Sequence, residues 1–209
     1  MKSWSPDHPK AKLMARKRAD ILAAAKASFL DTGYEGTSME SIAKTANVSI
    51  MTLYRHAESK DELFSAVISN ACDPDDEAEQ AEWAALLEKP LRDVLIWAGM
   101  TAQTRLTDPD TIALMRTVIA EATRFPGLAG MAHTSLVGNL EGMLAFTLGL
   151  KQETSALSAE RRRELAVQFI DRLLGSHMLG LLMGLAGPSR REQQERSETA
   201  ADGLISSLG

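Results

Sequence analysis

The stretch from Thr37 to Phe64, TSMESIAKTANVSIMTLYRHAESKDELF, limits the fold of this chain more than any other segment. Thr37 stands three residues before Glu40, a capping-box spacing, and opens a short helix with Ile42, Ala43 and Ala46 on one face. Asn47 sits where the chain must reverse, and its side chain tolerates the left-handed backbone such a reversal needs. Val48 follows as an apolar plug and Ser49 as a fresh N-cap, so Ile50 to Ala57 is predicted as a second helix of about two turns. Ser59 and Glu62 repeat the capping box at the start of a third helix. Two short helices about a tight turn, the second one polar, form the pattern of a helix-turn-helix that reads DNA in the major groove.

Charge is shared unevenly along the chain. The net charge is −5, yet residues 1–60 hold ten Lys/Arg against six Asp/Glu, and the remainder 13 against 22. A basic head on an acidic body offers one part of the chain to phosphates, with chance variation of surface charge as the competing account. The single cysteine, Cys72, excludes an internal disulfide framework and suits a reducing cytoplasm. The N-terminus lacks the charged-then-apolar pattern of a secretory signal.

The chain around the motif reads as all-α, with about nine helices and no strand-like alternation. Residues 1–10 are expected to be a disordered arm, 11–72 the helix-turn-helix domain, and 73–209 a ligand-binding and dimerisation body. Ala11–Thr32 forms the first helix, with Ile21, Ala24, Ala25, Ser28 and Phe29 inward and Gly33 as its stop. The helix from Lys60 carries Leu63, Phe64, Val67 and Ile68 into the same core. An acidic run, Asp73–Glu82, marks the boundary. Helices then follow from Pro90 to Leu106, Asp108 to Arg124, and from the Phe125-Pro126-Gly127 break to Leu150. Ser158 opens a helix to Leu185, and Pro188-Ser189 opens the last, with Glu192 completing its capping box.

Leu173–Gly187 is nearly uncharged but too short for a membrane span of about 20 residues. It is read as a buried helix in which Gly180 and Gly184 leave a flat groove, with His177 and Leu181 beside them. A subunit contact and an intramolecular packing groove are both open there.

The block from Ala11 to Ile68 resembles the DNA-binding domain of the TetR family of bacterial transcriptional regulators. The likeness rests on FLDTGYEG (29–36), TSMESIA (37–43), VSIMTLYRH (48–56) and SKDELF (59–64), in that order and spacing. Ala57 departs from the Phe usual in the family, so the packing beneath the reading helix should be looser; Asn47 replaces the commoner Gly of the turn. Leu114–Leu128, LMRTVIAEATRFPGL, is similar to a narrower subgroup, the AefR-like regulators.

The resemblance implies a dimer bound to a palindromic double-stranded DNA operator, released from it by a small apolar or amphipathic effector. It implies that Ser38, Thr52, Tyr54, His56 and Lys60 hold the DNA backbone, and that Met39, Ile50, Met51 and Arg55 lie nearest to base edges, with Ser49 a further DNA-binding candidate. Ile50 and Met51 cannot hydrogen-bond, so they would read thymine methyls and shape. For Ile50 a core position, and for His56 a helix-capping role, remain open. Candidate wall residues for the effector cavity are Trp97, Met100, Met115, Phe125, Met143, Phe146 and Phe169, each of which is equally readable as filled core, and Glu121, for which a surface i,i+3 pair with Arg124 is also open. Candidate dimer residues are His177, Gly180, Leu181 and Gly184, in a four-helix interface built by the last two helices of each subunit. Coupling is expected through the helix that begins at Lys60.

Two other classes compete with this reading. An enzyme is disfavoured, because the four His are scattered, Cys72 has no evident activating partner and no phosphate-cradling Gly loop is present. The same residues provide no metal or cofactor motif. A helical interaction module with no DNA function is opposed by the basic head and the polar reading helix.

Overall fold

The computed structural model describes residues 8–72, 83 and 85–208. Residues 1–7 of the expected disordered arm and all of the acidic run 73–82 lie outside the described residues. Every element among the described residues is helical. The helices are α1 (Pro9–Gly36), α2 (Met39–Thr45), α3 (Ile50–Tyr54), α4 (Lys60–Cys72), α5 (Leu91–Leu106), α6 (Pro109–Glu121), α7 (Pro126–His133), α8 (Asn139–Leu150), α9 (Ala159–Leu182) and α10 (Arg190–Ser206). Five π-helical residues, Thr134–Gly138, run without a break from α7 into α8, so the described helices count as nine when these are taken as one. Contacts group the chain into two units. The first takes the chain up to Asn70 together with Arg116–Ala132; the second takes Ala71–Met115 and the chain from His133 onward.

The first unit has an aromatic core. Phe29, Tyr34 and Phe64 are at most 1% exposed. Phe64 meets both other rings edge-on, at 4.8 Å from Phe29 and 5.3 Å from Tyr34, and Phe125 packs edge-on against Tyr34 at 5.1 Å. Such pairs stabilise by about 0.5–1.5 kcal/mol beyond simple burial. Gly33 interrupts α1 at φ 72°, ψ 175°, a backbone region open essentially to glycine alone, and so turns Tyr34 back into this core.

Lys60 closes the same corner. Its ammonium donates to the carbonyls of Tyr34 (2.7 Å), Thr37 (3.0 Å) and Glu35 (3.4 Å) and lies 4.4 Å from the Tyr34 ring centre. A cation at the carboxyl end of a helix satisfies carbonyls that the helix leaves orphaned. The Tyr34 hydroxyl donates to the Asp61 carboxylate. Burial, then that carboxylate, raises the phenol well above its ordinary range. Arg124 and Glu35 form an ion pair at the surface, in place of an i,i+3 pair of Arg124 with Glu121.

In the second unit, α5 is the organising helix. Gly99 admits Ser197 of α10 so closely that a Cβ there would lie 2.8 Å from the Ser197 hydroxyl. Buried Gln103 donates to the Gln193 carbonyl (2.8 Å) and the Ser197 hydroxyl (2.9 Å), so this polar contact is satisfied. Lys151, 8% exposed, repeats the device seen at Lys60, donating to the carbonyls of Leu87 (2.9 Å) and Lys89 (2.6 Å).

The end of α9 differs from the sequence expectation. Rather than one apolar helix to Leu185, α9 kinks at Gly175 (φ 45°, ψ −154°) and stops at Leu182. The Leu185 amide donates to the Gly180 carbonyl (2.9 Å) and the Gly184 amide to the Leu181 carbonyl (3.0 Å), with Gly184 at φ 94°. This is a Schellman cap, and Leu185 supplies its apolar contact over Gly180. Gly180 and Gly184 therefore end a helix; they do not form a groove along one. Length and composition would let α9 cross a membrane, its best 18-residue window having a mean hydropathy of 1.2 with 33% buried. The core helix of a water-soluble protein passes the same test of length and composition.

Candidate nucleic-acid interface and ligand chamber

The turn of the helix-turn-helix forms as its residues require. Asn47 is left-handed at φ 52°. Ser49 caps α3 by accepting from the Thr52 amide at 3.1 Å. Leu53 (0% exposed) anchors α3 from beneath, and Ala57 (2%) is buried just beyond it. The helix is shorter than the predicted Ile50–Ala57. The Arg55 and His56 amides bond three residues back, to Thr52 (3.2 Å) and Leu53 (2.8 Å), which tightens the last turn out of α-helical form. The cap of α2 is displaced by one residue from the sequence expectation. Ser38 and Ser41 make the reciprocal box at 3.1 and 3.2 Å, while the Thr37 hydroxyl is committed to the Gly33 carbonyl at 2.7 Å.

Met51 (68% exposed) and Tyr54 (44%) project from α3, with Ser49 and Arg55 also exposed. Ile50, Thr52 and His56 are half-buried, and Ser38 is exposed at the start of α2. Around His56 the field is positive. Its pKa is lowered first by burial, then by Arg18, Arg55 and Lys17. Two of those three charges come from α1, so the polar face of α1 adds cations beside the reading helix. No local feature of the sequence signals that Lys17 faces His56.

Two expected DNA contacts are placed otherwise. Met39 is 8% exposed, so its side chain belongs to the head core and is not offered to base edges. Helical spacing explains this, because Met39, Ile42 and Ala43 stand at i, i+3 and i+4 and share the inward face of α2. The Lys60 ammonium points into carbonyls of its own unit, as described above, and not outward. The amide end of α4 remains beside it, where the Glu62 amide bonds to the Ser59 hydroxyl at 3.1 Å.

The second unit holds a chamber of about 510 Å³, within the ~300–1,000 Å³ range of small-molecule sites. One face of α5 provides Val94, Trp97, Ala98, Thr101, Ala102 and Arg105, which recur at helical spacing. Leu140, Met143, Leu144, Phe146 and Thr147 of α8 lie opposite, with Phe169 and Ile170 of α9 and with Trp83 completing the lining. Of the expected wall residues, Trp97, Met143, Phe146 and Phe169 are there. Met100, Met115, Glu121 and Phe125 are not; Phe125 is committed to Tyr34, and Glu121 lies in the first unit with it. Periodicity marks the Trp97 face of α5 as apolar, but no local signal tells a wall from a core.

Of the expected dimer residues, Leu181 is buried in its own chain at 6% exposure, and Gly180 and Gly184 form the helix cap. His177 is half-buried, its Nε2 shielded and without a hydrogen-bond partner among the described residues. The apolar side chains exposed in this region are Leu179 (57%), Met183 (73%) and Leu185 (69%), which the sequence reading missed because it took the whole stretch as one helix.

Residues 21–67 match the family described as bacterial regulatory proteins, tetR family, and residues 93–204 match the AefR-like transcriptional repressor C-terminal domain. The HTH-type transcriptional activator FasR of Mycolicibacterium smegmatis is 42% identical over 57 residues, 27% of this chain and 26% of that protein. The chain thus matches about a quarter of that relative's length. Among solved structures, a TetR-family transcriptional regulator of Mesorhizobium loti superposes with a TM-score of 0.71 at 23% identity, over 93% of this chain and 97% of that one. The flavonoid-responsive regulator FrrA gives a TM-score of 0.62 at 28% identity, over 92% and 97%.

Proposed function

The chain belongs to the tetR family of bacterial regulatory proteins with an AefR-like C-terminal domain, and from this we propose that it is a dimeric repressor that leaves a near-palindromic operator when a small molecule binds. The observation that carries the reading is the exposed face of α3, capped by Ser49, anchored by Leu53 and set among Lys17, Arg18 and Arg55. Met51, Arg55 and the exposed edge of Ile50 read bases; Ser38, Ser49, Thr52, Tyr54 and His56 hold phosphates, together with the amide end of α4. Two such faces related by a two-fold axis reach major grooves about one turn apart. The family is not an enzymatic one, and cytoplasmic residence follows from the DNA partner.

The sign of regulation follows the body. The FasR likeness spans 57 residues, whereas the model named for a repressor spans residues 93–204 of this chain. The chamber supports an effector site, and FrrA, named for its response to flavonoids, supports an aromatic one. Release requires only that the effector bind more tightly to the DNA-incompetent state, with α4 as the carrier. Dimerisation uses the exposed Leu179, Met183 and Leu185 with α9 and α10. A gel-shift series on the protein's own upstream DNA at graded salt tests the operator reading: a sequence-specific shift supports it, and its absence at every salt concentration would falsify it. Light scattering of the free protein tests the dimer, which a purely monomeric mass overturns.

A further inference from the structure

We propose that Met51 makes the head a reader of C5-methyl groups, so that it accepts thymine and 5-methylcytosine alike and turns away uracil and cytosine. This rests on the reading of α3 as the major-groove helix. Exposure and hydrogen bonding on that helix carry it. Of the three apolar candidates for base edges, Met39 is 8% exposed and Ile50 is half-buried, whereas Met51 is 68% exposed. The polar neighbours of Met51 are turned onto α3 itself. The Ser49 hydroxyl lies 2.8 Å from that of Thr52 and accepts from the Thr52 amide at 3.1 Å. Arg55 donates back to the Met51 carbonyl at 3.4 Å and to the Thr52 hydroxyl at 3.5 Å.

Those polar groups exchange a bond of their own for one to a base, so the net gain of each is small. Met51 exchanges only water, and covering its apolar surface is favourable wherever the group opposite is apolar too. In the major groove the base-pair edges present donors and acceptors, and the one alkyl group among them is the methyl at C5 of thymine. A thioether laid over a donor or acceptor strips it of water and gives no partner in return, which is costly. Over the methyl it strips nothing polar, and an unbranched side chain adapts to the place where the methyl stands. Cytosine differs from thymine in the group at C4, but its C5 is the same ring position, so 5-methylcytosine presents the same methyl. Met51 has no donor, and only a weakly accepting sulfur, with which to tell the thymine carbonyl from the cytosine amine.

Gel shifts of the full-length protein at fixed salt test this, on the shortest fragment of its own upstream DNA that gives a sequence-specific shift. Thymine-to-uracil replacement, one position at a time, locates the contacted pair in each half-site. Replacement at that pair in both half-sites should weaken binding about fifteenfold, about fourfold for each methyl lost from an apolar contact. Placing 5-methylcytosine there, opposite guanine, should give binding about fourfold tighter per half-site than cytosine does. Met51→Ala should reduce both preferences to within about twofold, and Met51→Leu, which keeps an apolar tip, should restore part of each. Equal binding of every uracil fragment and the thymine fragment to the unaltered protein overturns the proposal and leaves the operator reading standing. A thymine preference without one for 5-methylcytosine over cytosine overturns the methyl reading in favour of the whole base pair. Preferences that survive Met51→Ala remove Met51 from the contact. Absence of any sequence-specific shift overturns the operator reading and this proposal together. The thymine-to-uracil ratio is read on the unaltered protein, so the test stands even where a variant fails to fold.

Discussion

The two units put large side chains to opposite uses. In the first, Phe29, Tyr34 and Phe64 are at most 1% exposed and meet ring to ring. In the second, Trp97, Met143 and Phe146 border a chamber of about 510 Å³, and Phe146 is 62% exposed. The first arrangement gives a stiff platform whose exposed face is set by short caps. The second leaves apolar surface unmatched, which costs stability and keeps space for a guest. Where the aromatic rings are placed thus sets both the packed core of the first unit and the chamber of the second.

The sharpest way to break that contrast is to truncate one ring in each unit. Phe64→Ala should cost about 3–5 kcal/mol, as core Phe truncations do. Phe146→Ala should stay within about 0.5 kcal/mol, as exposed substitutions do, while changing ligand affinity. Urea denaturation measures both, and equal losses would remove the distinction between core and wall.

Next in size are the two lysines that cover carbonyls. Lys60→Met and Lys151→Met should each cost about 1.5–3 kcal/mol, the range for hydrogen bonds to a charged group. They separate on DNA. If the Lys60 ammonium stays on its carbonyls in the complex, neither variant changes the salt dependence of binding. A slope lowered by about one unit for Lys60→Met alone would show that it turns outward to a phosphate.

How much of this is legible in the sequence depends on range. Asn47, Ser49, Ser59, Ser158 and Ser189 each do what their local chemistry suggests, because a cap or a reversal is decided within about four residues. The aromatic core of the head was visible as stripes on two helices. The inward turn of Lys60 was not, since its partners lie 23 to 26 residues away. The grouping of Arg116–Ala132 with the head was equally hidden, being a matter of packing between distant segments. In the candidate site, Trp97, Met143, Phe146 and Phe169 were found as apolar positions, whereas Arg105 and Thr147 were passed over as ordinary polar residues. Only spatial convergence makes those two informative.

The smallest effect concerns pH. His56 has a lowered pKa in the folded protein, so the unfolded chain takes up the proton first. Its contribution to stability is present above the unfolded value of about 6.5 and declines as pH falls through that value toward the lower folded one. A phosphate beside the ring reverses the shift, because it favours the charged form. Operator affinity at constant salt should therefore rise slightly as pH falls from 7.5 to 6, and His56→Gln should flatten the profile. A profile unchanged by that substitution would remove His56 from the interface.

The placement of the chromophores has a practical consequence. Both tyrosines lie in the head, Tyr34 buried and Tyr54 exposed, while Trp83 and Trp97 border the chamber. The Tyr34 phenol keeps its proton into strong alkali while the head is folded. At a pH of about 10, where an ordinary phenol begins to ionise, a gain of phenolate absorbance therefore reports loss of the folded head, and two of the chain's three indoles, Trp83 and Trp97, respond to filling of the chamber. The protein carries separate optical probes for its two tasks, so an effector's arrival and the integrity of the head can be followed together in one cuvette without a label.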